Sequence, residues 1–414
     1  MARILFVTSR LPHPPQEGHQ LRSWHLLRAA AAGHDVTLLS LVRPEEAGPP
    51  SAELSRTASV QAVALPKMSA LCGLVTASAI VRGRALLQAR YVTGALTRAF
   101  DRLAAEADLV HLDILAVAAL IERVPPGVPV VVNAHNVESR LLAERVRSEP
   151  ARWRRAVLAS QVRPLARMER RVCSAANRVL ACSAIDAERL QALAPAARVT
   201  VVPNGVDLVR FRPGADPAGD NHTLVFVGQM SWFPNRDGIE HFLAAVWPRI
   251  RQRHSARLRI IGRDGDTVLP PAPGVERTGF VADLRPLVEA AGVYIVPLRA
   301  GSGTRLKLLE AMAMGKAIVS TRIGAEGLAL VDGRHALLAD TPEAFADAVS
   351  RLLDDRALRR RLGLAARQLA DQRYGWEAIG ARLKVVYADL LTGAGRVPTN
   401  QYAAEETGGA PVSQ

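Results

Sequence analysis

Short, unbroken apolar runs alternate along the chain with stretches of helical spacing. The runs RILFVTS (3–9), DVTLLSL (35–41), VQAVAL (60–65), DLVHL (108–112), PVVVNA (129–134), RVLACS (178–183) and RVTVVP (198–203) lack strict polar alternation. They fit strands of a parallel sheet buried on both faces. Helical periodicity fills the gaps, as in QLRSWHLLRAAAAGH, where Gly33 is a stop signal. A second series follows: TLVFVG (223–228), RLRIIG (257–262), GVERTGF (274–280), GVYIVPL (292–298) and AIVST (317–321). Between the two lies NGVDLVRFRPGADPAGDNH (204–222), whose Gly, Pro, Asp and Asn content predicts a linker. Two βαβ series predict an α/β chain with two doubly wound, Rossmann-like domains, 1–203 and 223–374, facing a cleft. A helix over 375–391 is expected to pack back on the first domain. The tail 392–414 has no apolar periodicity and is expected to be disordered.

Composition sharpens this picture in three ways. With 414 residues, 49% of them hydrophobic, the chain has material for two cores. The net charge of +14 comes almost wholly from arginine, because only four lysines are present. Such a charge favours nucleotides, pyrophosphates or an acidic membrane surface, and it also fits a plain compositional bias. Nucleic acid is not expected, since no recognition module or basic–aromatic interleaving appears. Cys72, Cys173 and Cys182 form no C-x-x-C pair, so neither a disulfide framework nor a zinc site is expected, and a reducing cytoplasm fits. MARILFVTS enters a strand directly, with too short an apolar part for a signal peptide. The nearest approach to a membrane span is Met68–Val81, short of the roughly 18 apolar residues required. The expected location is cytoplasmic, at most peripheral on the inner face of the membrane.

The chemistry concentrates in PLRAGSGTRLKLLEAMAMGKAIVS, 297–320. A strand ends, Gly301 and Gly303 turn the chain, and a helix is predicted to begin near Thr304. Ligands of open α/β sheets bind beyond the carboxyl ends of the strands. Free N–H groups of a first helical turn attract anions, here joined by Arg305 and Lys307. Glu310, further along the helix, suits two ribose hydroxyls. The set predicts a nucleotide-diphosphate site, against the plainer reading of a solvated helix face. Arg305 and Lys307 are expected outside any core.

This stretch resembles the donor-site motif of glycosyltransferase family 4, which has the GT-B fold. PHPPQEGHQLRSWHLLRAAAAGHDV resembles the family's N-terminal glycine loop and first helix, and PVVVNAHNVES the loop carrying its active-site histidine. VVPNGVDLVRFRP and LVFVGQMSWFPNRDGIEHF resemble its interdomain segment and the entry to its second domain. The resemblance covers about residues 1–390 and is nearest to bacterial transferases of exopolysaccharide or cell-surface glycan assembly. It implies a retaining transferase that uses a nucleotide sugar and acts on a glycan or lipid-diphosphate-linked acceptor. No cofactor or metal is implied. His135 would approach the donor sugar, and Gly18, Ser302, Gly303, Thr304, Arg305, Lys307 and Glu310 would hold the donor. His135, Arg305 and Lys307 would serve catalysis. Two positions depart from the family pattern. Ser302 stands where the first glutamate of E-x7-E is usual, and Gln229 and Asn235 stand where Arg and Lys are common, with Arg236 adjacent.

Other segments carry weaker signals of related chemistry. Asp264 and Asp266 in IIGRDGD imitate a metal-binding D-x-D, but Asp and Gly are what a turn needs. No G-x-G-x-x-G follows the first strand, and there is no Walker loop or G-x-S-x-G elbow. Residues 152–172 hold seven arginines and one acid, fitting either a solvated helix or an anionic membrane surface. A nucleotide-sugar 2-epimerase and a non-catalytic nucleotide-sugar-binding protein are the competing functions on this fold.

Overall fold

The computed structural model describes residues 1–393 except 16, 47, 67–82, 217, 221, 264–268, 270 and 302–304. Met68–Val81, Cys72, Asp264, Asp266 and the tail from 394 therefore lie outside the described residues. Within them the chain forms two parallel sheets. The first contains β1 (Arg3–Thr8), β2 (Asp35–Val42), β3 (Ser59–Ala64), β4 (Leu109–Asp113), β5 (Val130–Ala134), β6 (Arg178–Ala181) and β7 (Val199–Val201), in the order β3-β2-β1-β4-β5-β6-β7. The second contains β8 (Thr223–Val227), β9 (Arg257–Ile261), β10 (Val275–Gly279), β11 (Val293–Val296), β12 (Ala317–Ser320) and β13 (Leu337–Leu338), in the order β10-β9-β8-β11-β12-β13.

The unbroken apolar runs have a direct cause in this architecture. β4, β5, β8, β11 and β12 are buried along their whole length, because helices cover both sheet faces. In β1, Leu5 and Val7 face one core while Ile4 and Phe6 face another. The second sheet repeats the division, with Leu224 and Phe226 on one side and Val225 and Val227 on the other. The edge strands β3 and β10 are partly exposed, as edges are.

Six helices position the residues discussed below: α1 (Gly18–Ala31), α2 (Glu138–Ser148), α3 (Arg152–Ala175), α4 (Ala184–Leu193), α5 (Leu306–Ala313) and α6 (Trp376–Leu391). The last helix returns to the first lobe. Its Ile379, Leu383, Tyr387 and Leu390 join Phe6, Leu26 and Leu109 in one core. The chain thus crosses between lobes twice, and the crossings lie side by side. Val206 N–H donates to Tyr374 O at 2.7 Å, and Trp376 fills the space where a Gly205 side chain would stand, 2.6 Å from its Cβ position. Trp376 also stacks on His25 of α1, with ring centroids 4.3 Å apart. The segment expected as a linker is packed rather than loose. Ala218 is buried, and Gly219, at φ +59°, lies against the Ala291 carbonyl.

Candidate active site

Helices and loops that follow strands of the two sheets meet across the cleft. Gly18, the first residue of α1, faces the first turn of α5 in the other lobe. A Cβ at Gly18 would stand 2.8 Å from Leu306 Cδ1. The glycine permits this approach by its lack of a side chain.

On the second-lobe side, β11 leads through Pro297 and Leu298 into the Arg299–Gly301 loop. Gly301 holds φ +122°, a value suited to glycine, and Arg305 Nη2 lies 2.6 Å from where its Cβ would be. Helix α5 begins at Leu306, two residues later than expected, with Arg305 as its extended N-cap. Ser302, Gly303 and Thr304 lie outside the described residues. Lys307 Nζ pairs with Glu310 Oε2 at 3.3 Å; the Lys307 side chain is half-exposed and Glu310 is buried. Arg305 departs from expectation. It is buried at the lobe interface, with its guanidinium 5.6 Å from the centre of the Trp232 ring. Burial lowers its pKa to about 10, against the pull of Glu326, Asp186 and Glu144, so it stays cationic at neutral pH. Gln229 and Asn235 are joined by a 3.0 Å bond from Asn235 Nδ2 to the Gln229 carbonyl.

On the first-lobe side, His135 follows β5 and is buried. Its Nε2 lies 3.1 Å from Asp113 Oδ1, at the carboxyl end of β4. Asn133 and Ser23 also donate to that carboxylate. Burial alone would raise the Asp113 pKa, but His135 and His111 outweigh it and hold the carboxyl well below its ordinary value. The Asp113 carboxylate holds the His135 ring by its Nε2 edge. Arg22, almost wholly buried, donates to Asn133 Oδ1 at 2.8 Å and to Pro203 O and Asn204 Oδ1 at 3.0 Å. His111 Nδ1 and Tyr387 Oη of α6 lie 2.7 Å apart. A polar network therefore joins His135 to α1 and, through Asn133 and Arg22, to the first interlobe crossing at Pro203 and Asn204. Ile114, next to Asp113, takes φ +84°, a strained value for a branched residue that marks the strand end as special.

Sequence reasoning missed Asp113, Asn133, Ser23 and Arg22. Asp113 and Asn133 carried a signal, being polar residues at the carboxyl ends of apolar strands. Arg22 carried none, since an arginine on an amphipathic helix reads as solvated. Among the described residues no group of three His, Cys, Asp or Glu is placed to hold a metal ion.

Comparison with known proteins fits this geometry. Residues 24–210 match the profile described as Glycosyltransferase Family 4, and residues 221–355 the profile described as Glycosyl transferases group 1. The chain carries a glycosyltransferase family 4 domain followed by a glycosyl transferases group 1 domain. One curated relative is the D-inositol 3-phosphate glycosyltransferase of Corynebacterium glutamicum, 31% identical over 222 residues. That match takes in 47% of this chain and 52% of the relative, so the chain spans about half the length of such relatives. Among solved structures, the sucrose-phosphate synthase of Thermosynechococcus elongatus superposes with a TM-score of 0.73 at 19% identity, covering 95% of this chain and all of that one. Anabaena HepE, solved with UDP-glucose, gives 0.64 at 16% identity over 94% of this chain and all of that one. Both share the GT-B fold.

Proposed function

We propose that this chain is a retaining glycosyltransferase that moves a sugar from a nucleotide-sugar donor to a glycan or lipid-linked acceptor in surface polysaccharide assembly. The observation that carries the reading is the apposition of Gly18 and Leu306, which brings the start of α1 against the first turn of α5. Residues 223–374 would hold the donor and 1–203 the acceptor. The nucleotide diphosphate would lie at the amino end of α5, with Glu310 on the ribose. The UDP-glucose complex of HepE, on the same fold, supports a donor of this class. Lys307 and Arg305 would stabilise charge growing on the leaving diphosphate, and preorganised charge of this kind is often the largest catalytic contribution.

Two carboxylates near His135 are committed: Asp113 holds His135, and Glu169 caps α2 by accepting from the Glu138 and Ser139 N–H groups at 2.8 and 3.2 Å. A third, Glu138, accepts only from Asn136 Nδ2 at 3.3 Å among the described residues, and burial raises its pKa. With Ser302 where the family motif usually has a glutamate, the reading is a same-face displacement, in which the donor phosphate helps deprotonate the acceptor hydroxyl. The epimerase reading, which requires an acid–base pair, is separated from it by turnover. Lobe closure would exclude water and limit donor hydrolysis.

The acceptor could be presented at an anionic membrane surface through α3. Its first turns carry Arg152, Arg154 and Arg155 beside the exposed Trp153. No helix among the described residues is long and apolar enough to cross a membrane.

Thermal stabilisation by a panel of nucleotide sugars would select the donor. Turnover with that donor, isotopically labelled in the sugar, then tests the reaction. Transfer to an acceptor or to water with retained anomeric configuration is expected. Epimerisation alone, or binding without turnover, would overturn the proposal.

A further inference from the structure

A cavity of about 450 Å³ opens between the lobes beside the Arg299–Gly301 loop. One wall is formed by α2 and α4 of the first lobe, and the other by the loops following β11 and β12 of the second. Five arginines reach it: Arg140 and Arg147 from α2, Arg189 from α4, and Arg299 and Arg322 from the second lobe. Among the described residues, Glu144 and Glu326 line it with opposite charge.

The state of these side chains is informative. Arg140 pairs with Glu144 at 3.2 Å, and Arg189 pairs with Glu326 across the lobes. Arg299 and Arg322 turn to Asp237 and Asp340, at 3.1 and 2.7 Å. Arg147 is exposed and makes no ion pair among the described residues. Arg189 Nη1 is buried without a hydrogen bond, in a longer ion pair with Asp186 Oδ1 at 3.6 Å. Glu144 also accepts from the Gly301 N–H at 3.0 Å, so the same acid touches the donor loop.

We propose that this cavity binds a phosphate or diphosphate group on the acceptor. The inference rests on the transferase reading above. One donor diphosphate is already served by the amino end of α5 with Arg305 and Lys307. Five further guanidinium groups, each able to grip a phosphate oxygen pair, exceed what that diphosphate can use. The second reactant must also reach the donor loop, and a phosphate on it would match these charges. Because the arginines come from both lobes, an anion between them would draw the lobes together. Acceptor binding would then favour the closed state needed for transfer. The acidic partners now holding Arg140 and Arg189 would be exchanged for the ligand.

The test is calorimetric titration of the full chain with inorganic pyrophosphate at fixed ionic strength, alone and with saturating UDP, GDP or dTDP. Pyrophosphate should still bind when the preferred nucleoside diphosphate is present. The double variant Arg140→Ala/Arg147→Ala should weaken pyrophosphate at least about tenfold while leaving nucleoside diphosphate affinity within about twofold. Both side chains are substantially solvent-exposed, so the variant should fold, as circular dichroism would check. If nucleotide displaces pyrophosphate one for one, or the variant binds it normally, or pyrophosphate fails to bind, this proposal falls and the transferase reading stands. If no nucleoside diphosphate binds the wild-type chain, the transferase reading falls and takes this proposal with it.

Discussion

Arg305 and Lys307 are two residues apart yet sit in unlike surroundings. Lys307 is half-exposed beside Glu310, so its removal should leave the fold intact. Lys307→Ala is expected to lower kcat more than it raises the donor KM, because the charge acts mainly as the leaving group develops. A loss of roughly 2.7–4 kcal/mol, or about 10²–10³ in rate, is typical for one such stabiliser. Arg305→Ala should act in the same direction and also lower the melting temperature, since Arg305 is buried at the lobe interface. Arg305→Lys should not fully rescue it, and the double variant should lose less than the sum. Steady-state kinetics with denaturation curves would check all three. Separately, Glu310→Ala should weaken nucleoside diphosphate binding by roughly 1.5–3 kcal/mol, read by calorimetry. The charges of this segment were legible because Gly, Arg, Lys and Glu cluster after an apolar strand. The burial of Arg305 was not, because it depends on Trp232 and on acids from the opposite lobe.

The packing of α6 against α1 has its own signature. His25 stacks on Trp376, and burial, with Arg28 adding to it, lowers the His25 pKa to about 4. The unfolded chain takes up a proton near pH 6.5 that the folded chain refuses until about pH 4. Stability should therefore rise with pH between 4 and 6.5 and be fully present above that window. The contribution is on the order of 3 kcal/mol. His25→Phe keeps an aromatic ring for the stack and removes the titration. Urea midpoints across pH 4.5–7 should be flatter in the variant, and an unchanged slope would reject the assignment. At α3, binding to vesicles containing anionic lipid should be peripheral and released by salt, as flotation at low and high ionic strength would measure. The strands other than β13 were legible to within a few residues, because parallel strands covered on both faces are written as continuous apolar runs; β13, two residues at a sheet edge, is too short to leave such a run. The helices were less so where polar residues turn inward. The buried face of α1 includes Gln20, Arg22 and Ser23, which periodicity reads as a solvated side.

The two-lobed architecture followed from two βαβ series in order, and the matched profiles and superposed structures agree with it. The coupling between lobes did not follow, because it is made by residues distant in sequence: Gly18 meets Leu306, Arg189 pairs with Glu326, and Glu144 accepts from the Gly301 N–H. On the first-lobe side, Arg22 reaches Pro203 and Asn204 and Tyr387 reaches His111, which gives the cleft a fixed wall in which Asp113 holds His135. The central claim is that His135 serves a sugar whose nucleotide is held by the other lobe. The most direct test is turnover of the selected labelled donor by His135→Ala, with the nucleoside diphosphate Kd measured on the same sample. Transfer across the cleft predicts a rate loss of at least about a hundredfold with Kd changed less than about twofold. Near-normal turnover, or loss of nucleotide binding together with activity, would contradict it.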